Sequence, residues 1–294
     1  MISILIPTYN RNCLALAAEL SRQLVEGDIQ GEILVMDDGS TNLYCKSENK
    51  KISTLPLCRY IEQERNQGCE YTRQLLAKEA KHDLFLFVDA DTFPKDKKFV
   101  ANYIKASRDH FAVSGGLLYR KSNGTTKVSP LRYVYGSRVE AHSARWRNAR
   151  RSKIVYGGNF LVTRYIFEKV SLDGVSSSYG YEELLISKAI SEAGVQLCHI
   201  DNPVYHDDDQ TSEQFLSRTR CAVENLSRHA VEYYELSKLL QTHMVMERLN
   251  LCWLIARIFR LLSFAMERNL KSKHPSLLIF QFYKLGYYCC ISRL

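Results

Sequence analysis

The stretch Leu84–Pro94, LFLFVDADTFP, sets two aspartates with one small residue between them directly after a five-residue apolar run. Asp89 and Asp91 are hard oxygen donors, suited to Mg2+ or Mn2+ and to the hydroxyls of a polyol. A divalent ion held there could grip a diphosphate and neutralise its charge as it leaves. Two further polar clusters follow apolar runs: Pro7-Thr8-Tyr9-Asn10-Arg11 after ISILI, and Asp37-Asp38-Gly39-Ser40 after EILVM. Taken one at a time, these residues have plainer uses. Asp37 and Asp38 suit a capped turn, Tyr9 suits a core, and Arg73 suits a solvated helix. Glu182 and Glu183 suit the first turn of a helix, and His206 beside Asp207, Asp208 and Asp209 suits an exposed loop. The chemical reading rests on their order along the chain.

That order is set by the elements that must carry the clusters. Ile2–Ile6, Glu32–Met36 and Leu84–Val88 read as short buried strands, and Leu14–Leu24 and Tyr71–Lys81 have helical spacing. Strands alternating with helices predict an α/β fold, a mostly parallel sheet with helices on both faces. Ligands of such sheets bind beyond the carboxyl ends of the strands, where all three clusters fall. Further on, Val155–Thr163 reads as a strand, Tyr181–Ala193 as a helix, and Val195–Ile200 as a strand followed by NPVYH. Residues 132–153 hold seven basic residues against the single acid Glu140. They predict either a mobile basic segment near an anionic ligand or a solvated helix face.

From Ser212 onward the chain reads as helices with 12 Lys/Arg and 6 Asp/Glu. Leu251, Leu254, Ile255, Ile258, Leu261, Leu262 and Ala265 form an apolar stripe, with Arg257, Arg260 and Arg268 off it. This predicts a basic amphipathic tail, placed at 226–294 after a domain at 1–225. The tail would either touch an acidic membrane surface or pack on that domain. The net charge of +8 suits anionic partners. No recognition helix or interleaved stacking aromatics accompany the basic run, so nucleic acid is not expected. Nine cysteines without a CxxC pair predict reduced thiols rather than a zinc ribbon or disulfide framework. The apolar start MISILI is too short for a secretory signal, and cytoplasmic residence, at the inner face of the plasma membrane, is expected.

In this order PTYNR, VMDDGS, FVDAD, GGNFLVTR, YGYEELL and DNPVYH resemble the family-2 glycosyltransferases of GT-A fold over residues 1 to about 225. These are inverting enzymes that use nucleotide-diphospho-sugars. The tail resembles, more loosely, those of bacterial members that make surface polysaccharides. The resemblance implies a Rossmann-like α/β domain with a C-terminal helical extension, a UDP-sugar donor, a glycan or lipid-linked acceptor, and Mn2+ or Mg2+. By the same resemblance Pro7, Thr8, Tyr9 and Arg11 flank the nucleotide, Asp38 accepts from a uracil imide, and Arg73 faces the nucleotide. Asp89 contacts the ribose beside Asp91 on the metal, and His206 is a further metal ligand. Gly157, Gly158 and Asn159 line the sugar and acceptor side. Glu183 is the general base, with Glu182 the alternative, because Glu-Glu stands where relatives often carry Glu-Asp. Thr92 stands where many carry another acid, which implies a leaner metal shell. Two other functions stay open: a nucleotidyltransferase making NDP-sugars, disfavoured by the lack of a glycine-rich loop at PTYNR, and a non-catalytic sugar-nucleotide scaffold.

Overall fold

The computed structural model of the 294-residue chain describes residues 1–120, 128–150, 153–155, 158–169, 182–207 and 209–292. In chain order the first elements are β1 (Ile2–Thr8), α1 (Leu14–Glu26), β2 (Gly31–Asp37), α2 (Leu43–Lys50), β3 (Cys58–Glu62) and α3 (Cys69–Glu79). Next come β4 (Leu84–Val88), β5 (Thr92–Pro94), α4 (Phe99–Ala106), β6 (Ala112–Ser114) and β7 (Leu117–Leu118). Then follow α5 (Pro130–Tyr135), α6 (Ala144–Ala149), β8 (Asn159–Thr163), α7 (Arg164–Phe167), α8 (Glu182–Glu192), β9 (Cys198–His199) and β10 (Val204–His206). The chain ends with α9 (Ser212–Arg228), α10 (Ala230–Tyr233), α11 (Lys238–Arg248), α12 (Cys252–Leu270) and α13 (Leu277–Ile291). These elements divide into two compact units, Met1–Tyr119 with Glu140–Ser177 and Leu185–Asp207, and Arg120–Val139 with Ser178–Leu184 and Asp208–Leu294.

The first unit is built on a seven-stranded sheet in the order β3-β2-β1-β4-β8-β6-β9. Strands β1 to β4 run parallel, β8 is antiparallel to β4 and β6, and β6 and β9 are parallel. All seven residues of β1 are buried, the mark of a strand covered on both faces. Each such Ile or Leu contributes about 1.5–3 kcal/mol by leaving water. Helix α1 packs on this core through Leu16, Ala17, Leu20 and Leu24, which share one face. A small second sheet, β5-β10-β7, takes its first strand, β5, from the segment that follows β4 in the chain.

The second unit is helical. Leu131, Leu216, Phe259, Met266, Leu270, Phe280 and Tyr283 form its main core, and Cys252, Ile255, Ala256 and Cys289 a smaller one. The expected boundary at residue 225 falls inside α9, a continuous helix with a capping box at Thr211 and Gln214. The stripe expected on α12 is also corrected. Its buried residues are Cys252, Ile255, Ala256, Phe259, Met266 and Leu270, so of the seven stripe residues only Ile255 is buried. The helix has apolar residues all round, and spacing alone picked the wrong side.

The basic stretch 132–153 holds α5 and α6, and two of its arginines are interior. In the helical unit Arg132 lies over the Phe215 ring. In the sheet unit Arg147 is buried. Its guanidinium donates to the carbonyls of His142, Ser114, Gly115 and Ile200, and meets His199 Nδ1 at 2.9 Å. These two arginines belong to neither a mobile segment nor a solvated face. Arg151 lies outside the described residues.

Candidate active site

Strands β1 and β4 part before their carboxyl ends. β1 pairs with β2 as far as Thr8 and Asp37, but its pairing with β4 stops at Leu5 and Phe87. The strand order reverses here too, since β2 and β3 lie on one side of β1 and β4 on the other. A reversal of this kind leaves a crevice at the carboxyl edge. Pro7 sits where β1 has already lost β4 as a neighbour, a position that tolerates a residue without an N–H. Beyond it, Tyr9 is 47% exposed and is therefore no part of the core. Thr8 is buried, and its carbonyl accepts from the Asp38 N–H at 2.8 Å.

Asp37 and Asp38 do the work of a turn as well as supplying charge. Asp37 accepts from Ser40 N–H at 2.6 Å and from the Tyr60 hydroxyl at 2.7 Å. Asp38 accepts from the N–H groups of Gln67 and Gly68, each at 2.8 Å, and so ties down the start of α3. Burial raises the Asp38 pKa above the ordinary aspartate value, against the hydrogen bonds from Gln67, Gly68 and Thr72 that lower it. Gly39 has φ +69°, and a Cβ there would meet the Arg65 carbonyl carbon at 2.4 Å, so no side chain fits the turn.

Arg73 is interior, not solvated. It is 2% exposed and lies between two carboxylates, those of Glu70 and Asp89, with Asp89 Oδ1 at 2.8 Å. The Phe160 ring lies under its guanidinium at 5.7 Å. Arg73 therefore fixes the direction of Asp89, whose side chain is 26% exposed. Two acids beside one buried cation compensate its charge, and one of them reaches the surface.

Asp89 to Thr92 form a tight turn: the Asp89 carbonyl accepts from Thr92 N–H at 3.0 Å and from its hydroxyl at 2.7 Å. The chain then enters β5, which pairs antiparallel with β10 so that Thr92 stands opposite His206. The ladder continues with Asp207 N–H donating to the Asp91 carbonyl at 2.8 Å. This pairing brings His206 Nε2 to 3.5 Å from Asp91 Oδ2. That gap is long for a strong hydrogen bond. Two ligands at neighbouring positions on one ion, with bonds of about 2.1 Å, stand about 3.0–3.5 Å apart. Nδ1 of the same ring is buried without a hydrogen-bond partner among the described residues. An acid and an imidazole presented side by side, with Asp89 near in sequence, fit a divalent cation. Arg11 joins the group by donating to the Asp207 carbonyl.

Other expected residues play different parts. Gly158 accepts through its carbonyl from Asp89 N–H at 3.0 Å. With φ +93°, a Cβ on Gly158 would meet Leu117 Cδ2 at 2.5 Å, so the glycine lets β8 close under the acidic turn. Asn159, expected on the wall of the sugar site, is wholly buried. Its amide oxygen accepts from Tyr103 OH at 2.9 Å and its nitrogen donates to the carbonyls of Gly116 and Asn202. In this structure it supports the site from below instead of lining it. Gly157 lies outside the described residues, as does the side chain of Glu182. Glu183 lies in the first turn of α8 and falls in the stretch Ser178–Leu184, outside the unit that holds Asp91 and His206.

Several supporting residues gave no sequence signal. Glu70 balances Arg73 three residues away, a spacing open to reading as an ordinary surface pair. Tyr119 packs its ring 5.6 Å from that of His206 and donates to Glu140. Their convergence depends on β7 and β10, strands of two and three residues, too short to show a period.

The family model described as "Glycosyl transferase family 2" matches residues 3–171. No curated protein matches the chain. Among solved structures, the chain is similar to a mannosyltransferase of Pyrobaculum calidifontis in complex with GDP-Man and Mn2+. The TM-score is 0.57 at 18% identity, over 97% of this chain and 85% of that one. It is also similar to glucosyl-3-phosphoglycerate synthase of Mycobacterium tuberculosis in complex with Mn2+, UDP and glucosyl-3-phosphoglycerate. Here the TM-score is 0.50 at 14% identity, over 78% and 79% of the two chains. At these identities the likeness is one of fold, the GT-A architecture.

Proposed function

The chain belongs to glycosyl transferase family 2, and from that premise we propose an inverting transferase that moves a hexosyl or N-acetylhexosaminyl group from a UDP-sugar to a hydroxyl of a glycan or lipid-linked acceptor. Its setting would be surface-polysaccharide synthesis at the inner face of a membrane. The observation that carries the reading is Asp91 and His206, 3.5 Å apart at the carboxyl edge of the sheet, beside an Asp89 aimed by Arg73.

Asp91 and His206, with Asp89 alongside, would hold Mn2+ or Mg2+, and the imidazole in the set favours Mn2+ over the harder Mg2+. When bound, such an ion neutralises charge on a departing diphosphate. The remaining work falls to the chain. Asp89, held by Arg73, accepts from ribose hydroxyls. Tyr9, exposed beyond the end of β1, offers a ring to the base. Asp38 accepts from the Gln67 and Gly68 N–H groups and from Thr72, and of its four acceptor positions the one left suits the imide N–H of uracil. Glu183 takes the role of base toward the acceptor hydroxyl, with Glu182 the alternative, on the strength of the YGYEELL motif.

The test is nucleotide release from a panel of UDP-sugars, with GDP-mannose included, in the presence of Mn2+ or Mg2+ and after chelation. Release from at least one donor is expected, lost with EDTA and restored by Mn2+ more fully than by Mg2+. His206→Ala should raise the Mn2+ concentration needed for half-maximal rate by about 10–100-fold. Absence of release from every donor, together with no binding of UDP or GDP in a calorimeter, would overturn the proposal.

A further inference from the structure

Helix α12 carries an outward face unlike the rest of the surface. Trp253, Arg257, Arg260, Phe264 and Arg268 follow one another at helical spacings of three and four, with Leu254 and Leu261 alongside. All are exposed, Phe264 by 81% and Leu261 by 74%. The only acid of the helix, Glu267, points elsewhere, bound to Arg220, Tyr283 and Lys271. The three arginines form no ion pair among the described residues. Exposed apolar side chains are ordinary when scattered singly, but a ribbon of them interleaved with cations marks a contact surface.

We infer that this face of α12 docks in the plane of a bilayer rich in anionic lipid. The inference deepens the membrane-side reading proposed above by assigning the contact to one helix face. Charge decides the occupant. A second copy of the chain on a two-fold axis would set three arginines against three arginines, which repels. An anionic headgroup layer instead offers each guanidinium a phosphate. Trp253, Phe264, Leu254 and Leu261 then enter the boundary between headgroups and acyl chains, where aromatic rings are stable, while the arginine stems reach back to the headgroups. The helix lies on the membrane and does not cross it. No single helix among the described residues is long and apolar enough to span, and α11 with α12, which reach that length and apolarity only together, are bent by 115° at their junction.

The sequence has two tryptophans, so Trp146→Phe in the full chain leaves Trp253 as the reporter. The probes are vesicles of phosphatidylcholine alone and vesicles in which part of it is replaced by phosphatidylglycerol. The expected result is flotation with the anionic vesicles only, with a blue shift of Trp253 emission that high salt reverses. Combined Arg257→Ala, Arg260→Ala and Arg268→Ala should weaken partitioning on the order of 100-fold, from about five-fold for each cation near an anionic surface. Leu261→Ser with Phe264→Ser should abolish the blue shift. All five positions are exposed, and a retained thermal transition confirms that the variants fold. Three results would each overturn the inference: no flotation at low salt, equal binding of the triple variant, or a dimer in sedimentation equilibrium that Leu261→Asp dissociates. Nucleotide release without vesicles should be the same for the triple variant and the parent. Docking with neither release from any donor nor binding of UDP or GDP would thus sink the transferase reading alone, and release without docking would sink this one alone.

Discussion

Arg73 and Arg147 are both among the largest fully buried side chains of the sheet unit, yet their surroundings differ in kind. Arg73 lies against the carboxylates of Glu70 and Asp89, one of which reaches the surface at the candidate site. Arg147 lies against carbonyls from residues 114, 115, 142 and 200 and the ring of His199. A buried cation needs compensation in either case. Compensation by an acid passes orientation on to a group that can meet a ligand. Compensation by carbonyl dipoles ties strand ends together and goes no further. One arginine positions chemistry, and the other positions backbone.

Substitutions test this contrast. Asp91→Ala, at the chemical end, should lower turnover by about 10^3-fold, or about 4 kcal/mol, with the thermal midpoint nearly unchanged. A matching loss of stability would mean that the acid is structural. Arg147→Met should act the opposite way. Several carbonyls lose their donor, at a cost of about 3 kcal/mol, readable in urea unfolding, while the folded fraction keeps its kcat. A fall in kcat at constant stability would erase the distinction between the two arginines. Arg73→Lys keeps the charge but loses the fork that spans two carboxylates. Turnover should fall about 30-fold, near 2 kcal/mol, with a rise in KM for donor and a smaller loss of stability. Tyr103→Phe removes the hydroxyl that donates to Asn159 and should cost about 1 kcal/mol of stability. Because Asn159 is a support, donor KM should not move. A large change in KM would return Asn159 to the binding wall.

Much of the sheet was readable because burial on both faces leaves an unmistakable local record. ISILI, EILVM and LFLFV are continuous apolar runs, and all three are strands. Strand β3 went unread because CRYIE is an edge, half exposed, with no run and weak alternation. The turn-forming use of Asp37 and Asp38 was readable from Gly39-Ser40, and both aspartates hold backbone N–H groups as that reading expects. The tail misled. A helix with apolar residues on every side has no spacing that distinguishes the face that packs from the face that remains outside, and only Ile255 of the expected stripe is buried.

By itself the sequence determined that three acidic or polar clusters end three buried strands, since a strand's burial and the residue that follows it are both local matters. It could not determine that His206 would stand beside Asp91, 115 positions away in the chain. That was decided by the antiparallel register of β10 on β5, which sets His206 opposite Thr92 and extends to Asp207 and Asp91. Strands of three residues carry no period, and their pairing gains its stability only once the larger sheet and the packing around it have brought the two segments together.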